Sequence, residues 1–301
     1  MEKEIDSKAK ALDFAICDYE CEHNNLKSGY ETKERKIYTN YLSNDSWMSF
    51  QKSMSPLHKN QFLDGDGGEL YEKKGRYGIY PPKMASFGSS SRFIYNLSKN
   101  IYNFCFEKAL PTRVGHIANL DGYLKKNDTD IFVEAKCREI YASHKKTNVN
   151  NVYKKVYDHI AEDNSDFRYE LEFLDDEYSK YTFYYKNNPI IHFDIKQFIC
   201  HLLGICANIL ENNANSKVRF IYLIFNPREK TVFSNPETLN FRDKIYKDYD
   251  DTISEINSFD GMKRLFEAVM GFQCKNIGIM DSVECDFSFR LTDQNNYKES
   301  F

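Results

Sequence analysis

The sequence predicts an α/β fold, a mixed central β-sheet flanked by helices with helical or irregular insertions. Three observations carry this expectation. Residues 113 to 141 hold two runs, VGHIANLDGYL and DIFVEAKCREIY, separated by the turn-forming KKNDT, which is the pattern of a β-hairpin. The run KVRFIYLIF, residues 217 to 225, is apolar enough for a strand covered on both faces. Segments of helical period surround these runs, and the order helix, hairpin, helix, strand, helix suits an α/β layer architecture.

Taken in chain order, the first forty residues are charged and read as one or two helices. Residues 1–55 form an N-terminal helical extension in this reading, 56–292 the main domain and 293–301 a polar tail. From Pro56 to Pro82 glycines and prolines mark tight turns. Ser89, Ser90 and Ser91 then offer an N-cap to a helix carrying Phe93, Leu97, Ile101 and Phe104 at helical spacing, which is expected to end near Leu110 and Pro111. After the hairpin, the polar, Tyr-rich stretch 142–188 reads as a helical or partly mobile insertion outside the core. Asp194 and Gln197 have capping-box spacing and open a helix through Leu210. Asn226-Pro227 ends the buried strand, a long helical region covers about Lys244 to Met270, and strand-like segments follow around Ile277–Met280 and Cys285–Leu291.

Composition narrows the function classes. With 41 Lys and Arg against 45 Asp and Glu the net charge is −4, which argues against a polybasic binder working through bulk attraction. Hydrophobic residues at 41% and aromatics at 15% suffice for a sizeable core. No apolar run is long enough to span a bilayer, and MEKEIDSKAK lacks a signal peptide's apolar stretch, so a cytoplasmic, non-membrane protein is expected. Eight scattered cysteines without a CxxC do not make a disulfide framework, and Cys17, Cys21 and His23 lack a second pair of zinc ligands.

The hairpin carries the chemistry. Asp121, Glu134 and Lys136 form D-x12-E-x-K. Strand side chains alternate, so Glu134 and Lys136 share a face. A turn centred between Asn127 and Asp128 puts Asp121 directly opposite Glu134, with Cβ atoms roughly 5 Å apart. Two carboxylates this close repel, and a hard divalent ion such as Mg2+ relieves the repulsion while keeping positions open for water and phosphate. Lys136 would counter developing negative charge. Glu134 follows Ile131-Phe132-Val133, and charges embedded in so apolar a strand call for a metal or a function. The layout is one for hydrolysing a phosphodiester.

FEKALPT (106–112), NLDGYL (119–124) and VEAKCREIY (133–141), preceded by PPKMASFGSSSRF (81–93), resemble the PD-(D/E)xK nuclease superfamily, in particular its restriction-endonuclease-like branch. The helix IKQFICHLLGI is similar to that branch's later Gln-x3-His helix. The likeness spans about residues 60 to 230 and is strongest around the hairpin. It implies a restriction-endonuclease-like core and a Mg2+-dependent endonuclease, with Mn2+ able to substitute, that cuts DNA to leave a 5′-phosphate and a 3′-hydroxyl.

The same resemblance makes Asp121 and Glu134 metal-binding acids, Ala135 a further ligand through its carbonyl, and Lys136 the catalytic lysine. Glu107 matches the upstream acid, with Glu69 in the Gly-rich loop as its rival. Gln197 matches a polar position bordering the active site, where the alternative is a simple capping residue; His201 and Glu139 are secondary, and strand alternation puts Glu139 on the face away from Lys136. Leu120 stands where the superfamily's name has proline. For DNA contact the best-placed basic residues are Lys125 and Lys126 at the hairpin tip, which would hold phosphates without reading bases. A homodimer would suit double-strand cleavage. The other reading is a non-catalytic DNA-binding or assembly subunit that keeps the nuclease fold.

Overall fold

Ile131, Phe132 and Val133 offer solvent no polar side chain, and such a run is stable only in a strand covered on both faces. The computed structural model describes residues 2–64, 68–139, 144–212, 217–228, 233, 235–279 and 285–301, with side chains from Lys8 onward. In chain order its elements are α1 (Glu2–Asn24), β1 (Ser28–Glu31), β2 (Ile37–Leu42), α2 (Asn44–Ser53), α3 (Pro56–Leu63), β3 (Lys73–Gly75), β4 (Gly78–Tyr80) and α4 (Ser90–Ser98). There follow β5 (Cys105–Pro111), β6 (Ile117–Lys126), β7 (Thr129–Lys136), β8 (Thr147–Asn150), α5 (Lys154–Asp163), β9 (Phe167–Phe173), β10 (Tyr178–Tyr185) and β11 (Asn188–Pro189). The chain continues through α6 (Ile195–Glu211), β12 (Lys217–Ile224), α7 (Pro236–Ser258), α8 (Met262–Ile277) and β13 (Asp286–Asp293).

The central sheet has the order β13-β12-β7-β6-β5. β5, β6 and β7 are antiparallel neighbours, whereas β12 runs parallel to both β7 and β13. The molecule is therefore a mixed α/β structure whose central mixed sheet is flanked by helices. The hairpin ladder runs from Gly122↔Val133 to Lys126↔Thr129, the register expected from the turn at Asn127 and Asp128. β7 sits in the middle, with Ile131, Phe132 and Val133 essentially inaccessible to solvent.

The helix α6 begins where its cap predicts, Asp194 accepting a 3.0 Å bond from the Gln197 N–H. It beds on the sheet through Phe198, stacked on Phe220 at 5.2 Å, and through Gly204. A Cβ at Gly204 would stand 2.8 Å from the Ala118 Cβ and 2.9 Å from that of Leu110, so a side chain there would lift the helix off β5 and β6.

Several expectations fail for identifiable reasons. The helix opened by the serines ends at Ser98, because the polar turn that follows places Asn103 in the left-handed region (φ 58°), and 105–111 pairs with β6 as a strand. The first forty residues contain one helix and a hairpin, β1-β2. The stretch 144–189 is no loose insertion: β8, β9, β10 and β11 form an antiparallel sheet, its Tyr and Phe rings buried with α5 around Tyr157, Tyr181 and Phe183. The long C-terminal helix is two helices, broken at Asp260-Gly261, where the Tyr185 hydroxyl bonds Asp260 and its ring lies against Gly261. Ile277 ends α8 instead of opening a strand; Met280 lies outside the described residues, as do Ile140 to Ser143 at the hairpin's expected end and Gly65 to Gly67 of the Gly-rich loop.

The N-terminal extension shares the main core, with Leu12, Ala15 and Ile16 in the same cluster as Phe132. Residues 293–301 also pack down, Tyr297 being buried with its hydroxyl 2.8 Å from that of Ser98. No helix among the described residues is long and apolar enough to cross a membrane.

Candidate active site

At the C-terminal end of β7 the apolar run gives way to Glu134, Ala135 and Lys136, while the strand remains buried. Glu134 is 3% exposed and Lys136 7%. The Lys136 ammonium donates to Glu134 Oε1 at 2.7 Å and to Gln197 Oε1 at 2.5 Å. The Gln197 Nε2 donates to the same Glu134 Oε1 at 3.0 Å. Gln197 is thus no mere capping residue: its backbone starts α6 and its side chain ties the helix to β7.

Asp121 stands where the hairpin ladder stops. Its Oδ2 accepts the Ala135 N–H at 2.7 Å, so a carboxylate replaces the backbone carbonyl that would have continued the sheet. The neighbouring β5 position is distorted too, Glu107 having φ 54° between the pairs Phe106↔Gly122 and Lys108↔Leu120.

Burial pushes the Asp121 carboxyl well above the usual carboxylate range, and the charges of Glu134 and Glu107 push it further, outweighing Lys136 and the Ala135 N–H. Burial pulls on Lys136 in the direction of the free amine, yet Glu134, Tyr222, Glu139 and Asp121 together hold its ammonium well above the ordinary lysine value. Lys136 is accordingly a fixed cation, unsuited to act as a base.

Glu134 Oε2 is buried and has no hydrogen-bond partner among the described residues. Across from it, 3.7 Å away, lies Nδ1 of His201, which is likewise unpartnered. The His201 ring is hydrogen-bonded to the Asn119 backbone, and burial lowers its pKa below the usual histidine value.

One pocket of about 230 Å³ is lined by Asp121, Glu134, Ala135, Lys136 and Gln197 together with Glu69 and the start of α4. Of the two upstream acids considered from the sequence, Glu69 lines this pocket. It is 6% exposed, bonds Lys83 at 2.9 Å through Oε1, and has no partner for Oε2 among the described residues. Glu107, half-buried in β5 and not at a helix end, is not among the described residues that line the pocket, although its charge reaches Asp121.

Sequence reasoning missed Lys83 and Arg138, which also line the pocket; Arg138 is held by Asp13 at 2.8 Å. Glu139 does not point away from Lys136 as alternation along the strand predicts. β7 ends at Lys136, alternation ceases there, and the Glu139 carboxylate returns to accept from the Ser90 hydroxyl at 2.8 Å and the Cys137 N–H at 3.0 Å. The adjacency of Arg138 and Glu139 to the E-x-K was the available signal. Lys125 and Lys126 lie at the other end of the hairpin, about 13 Å along the strand from Asp121. There Lys125 stands 3.6 Å from Asp130, and Lys126 donates to the Phe301 carbonyl at 3.4 Å.

A divalent ion suits the donors present. Glu134 keeps one carboxylate oxygen orphaned although Lys136 pairs with the other, and the ionisation of Asp121, a second buried carboxyl, is opposed by its acidic neighbours. Among the described residues no group of three His, Cys, Asp or Glu side chains is drawn together as a ready metal cage.

Comparison with family models, with curated proteins and with solved structures returned no match.

Proposed function

We propose that the chain is a Mg2+-dependent endonuclease with a restriction-endonuclease-like core, hydrolysing phosphodiester bonds in DNA. The observation that carries this reading is the meeting of Asp121, Glu134, Ala135, Lys136 and Gln197 in a single pocket, although Gln197 comes from a helix sixty-one residues beyond Lys136.

Asp121 and Glu134 would hold the ion, with Ala135 beside them. Such an ion, when bound, lowers the pKa of water and neutralises charge on a phosphoryl group. Gln197 and Glu134 engage two of the three ammonium N–H groups of Lys136, and the remaining donor can meet a phosphate oxygen or orient water. Because the ammonium is already fixed by two partners, little reorganisation is required as negative charge grows on the phosphate. Arg138 and Lys83 also line the pocket, each already paired with a carboxylate, Asp13 and Glu69.

The test is nicking or cutting of plasmid DNA by the purified protein with Mg2+ or Mn2+. Wild type should cut, while Asp121→Ala, Glu134→Ala and Lys136→Ala should not. Variants that cut as fast as wild type would overturn the assignment; metal-independent DNA binding without cutting would point to a subunit that only binds.

A further inference from the structure

The strand β9 is an open edge. β10 pairs with β9 along one side and with β8 and β11 along the other, so β9 has no second neighbour strand among the described residues. Such an edge presents unpaired N–H and C=O groups, which proteins blunt with a bulge, a proline or a lysine. β9, FRYELEF, has neither proline nor lysine, and its ladder to β10 runs unbroken from Phe167↔Tyr185 to Phe173↔Ser179.

Side chains along the edge alternate between two faces. Phe167, Tyr169, Leu171 and Phe173 share one of them, on which Phe167 is buried while Leu171 is 41% and Phe173 66% exposed. The other face carries Arg168, Glu170 and Glu172. Arg168 bonds Glu170 at 3.1 Å through one guanidinium nitrogen, but both side chains stay open to solvent, where such a pair contributes little.

Two copies related by a two-fold axis across the sheet pair their β9 edges antiparallel, each offering the same patch to the other. Every second residue of an antiparallel ladder turns its N–H and C=O to the same neighbour, so the axis must pass through a residue that faces itself. Pairing most of the strand leaves Tyr169, Glu170 or Leu171 for that place. An axis at Glu170 sets Glu170 against itself, and one at Leu171 sets Glu170 against Glu172 twice over. An axis at Tyr169 sets Arg168 of each copy opposite Glu170 of the other. It also puts the exposed Leu171 opposite Phe167, with Phe173 diagonal to the same ring and within an aromatic side chain's reach. Just before the strand Asp166 then faces Glu172, and each has a cation of its own, Arg264 and Lys146.

We propose that a second copy of this chain docks on β9 with Tyr169 on the two-fold axis, joining the second sheets of two molecules into one continuous sheet. The self-complementary order of charge along the strand selects both the partner and the register. Neither depends on the nuclease reading.

Sedimentation equilibrium of the full chain at micromolar concentration tests this. Wild type should be a dimer. Arg168→Glu and Glu170→Arg each set like charges against one another on both sides of the axis, and each should weaken dimerisation about tenfold or more. Both positions face solvent, and unchanged far-ultraviolet circular dichroism of each variant verifies its fold. An equimolar mixture of the two variants sets the acids of one chain against the arginines of the other and should restore the dimer. A wild type that stays monomeric would overturn the inference and leave the edge to another occupant. Single variants that dimerise as tightly as wild type, or a mixture no tighter than its components, would overturn it as well. Plasmid nicking with Mg2+ reads hydrolysis separately, so a monomeric wild type that nicks leaves the hydrolase reading standing, and a dimer that does not nick leaves the interface standing.

Discussion

Gln197 and Lys136 are sixty-one residues apart in the chain and 2.5 Å apart in the fold, the ammonium donating to the amide oxygen. Because the same amide also donates to Glu134, one neutral side chain holds both members of a buried ion pair. Gln197→Ala should lower the unfolding free energy in urea by about 1–3 kcal/mol, the range for hydrogen bonds to charged groups. Plasmid nicking should slow about 10- to 100-fold. Undiminished nicking would mean that Lys136 needs no help from Gln197.

Lys136→Met strands the Glu134 carboxylate in a buried site. Breaking one partner of such a pair costs about 3–5 kcal/mol. The double variant Glu134→Gln/Lys136→Met should recover part of that loss, and a double-mutant cycle in urea measures the coupling. Strict additivity would show that the 2.7 Å contact carries no net energy.

Asp121 works against the fold when ionised. Its carboxyl is raised by burial and then by Glu134 and Glu107, so stability falls as pH climbs from the unfolded value to the folded one, and the full penalty remains above it. In mildly alkaline buffer with EDTA, Asp121→Asn should therefore melt about 2 °C or more above wild type. Added Mg2+ should raise the melting temperature of wild type but not of Asp121→Asn. Equal Mg2+ stabilisation of both proteins would remove Asp121 from the ion's ligands.

Gly204→Ala would ordinarily strengthen a helix by about 1 kcal/mol. Here the new methyl meets the Leu110 and Ala118 side chains at under 3 Å, so a net loss of about 1–3 kcal/mol is expected from overpacking. Because α6 also carries Gln197, nicking should fall together with stability. A gain in melting temperature would show that the helix has room to shift.

His58 lies edge-on to Tyr95 and Phe106, with ring centres 5.8 and 5.0 Å away, and burial lowers its pKa below 6.5. His144 and His201 are lowered in the same direction. Unfolded chains take up these protons first, so stability is intact above about pH 6.5 and drains away below it. The His58→Phe variant keeps the ring contacts without the titration, and its melting temperature should fall less steeply with acidification than that of wild type. Parallel curves would refute the assignment.

The hairpin and α6 could be read from the chain because their signals are local. The KKNDT turn fixed which residues of β6 and β7 face each other, and Asp194 fixed where α6 starts. β5 was hidden because Phe104 continues the helical spacing of Phe93, Leu97 and Ile101, and only pairing with β6 reveals the strand. The second sheet was hidden for the opposite reason: its strands bury tyrosines and leave Lys180 and Glu172 at the surface, so a packed layer has the composition of a loop. Glu69 belongs to the pocket through a long-range approach that no spacing encodes, whereas Asp121, Glu134 and Lys136 could be grouped from register alone.

The second sheet is inserted between Lys136 and Gln197, so the bond between those two residues closes the stretch of chain that contains it. New termini opened at the exposed Asp175–Glu177 turn would leave that clasp untouched.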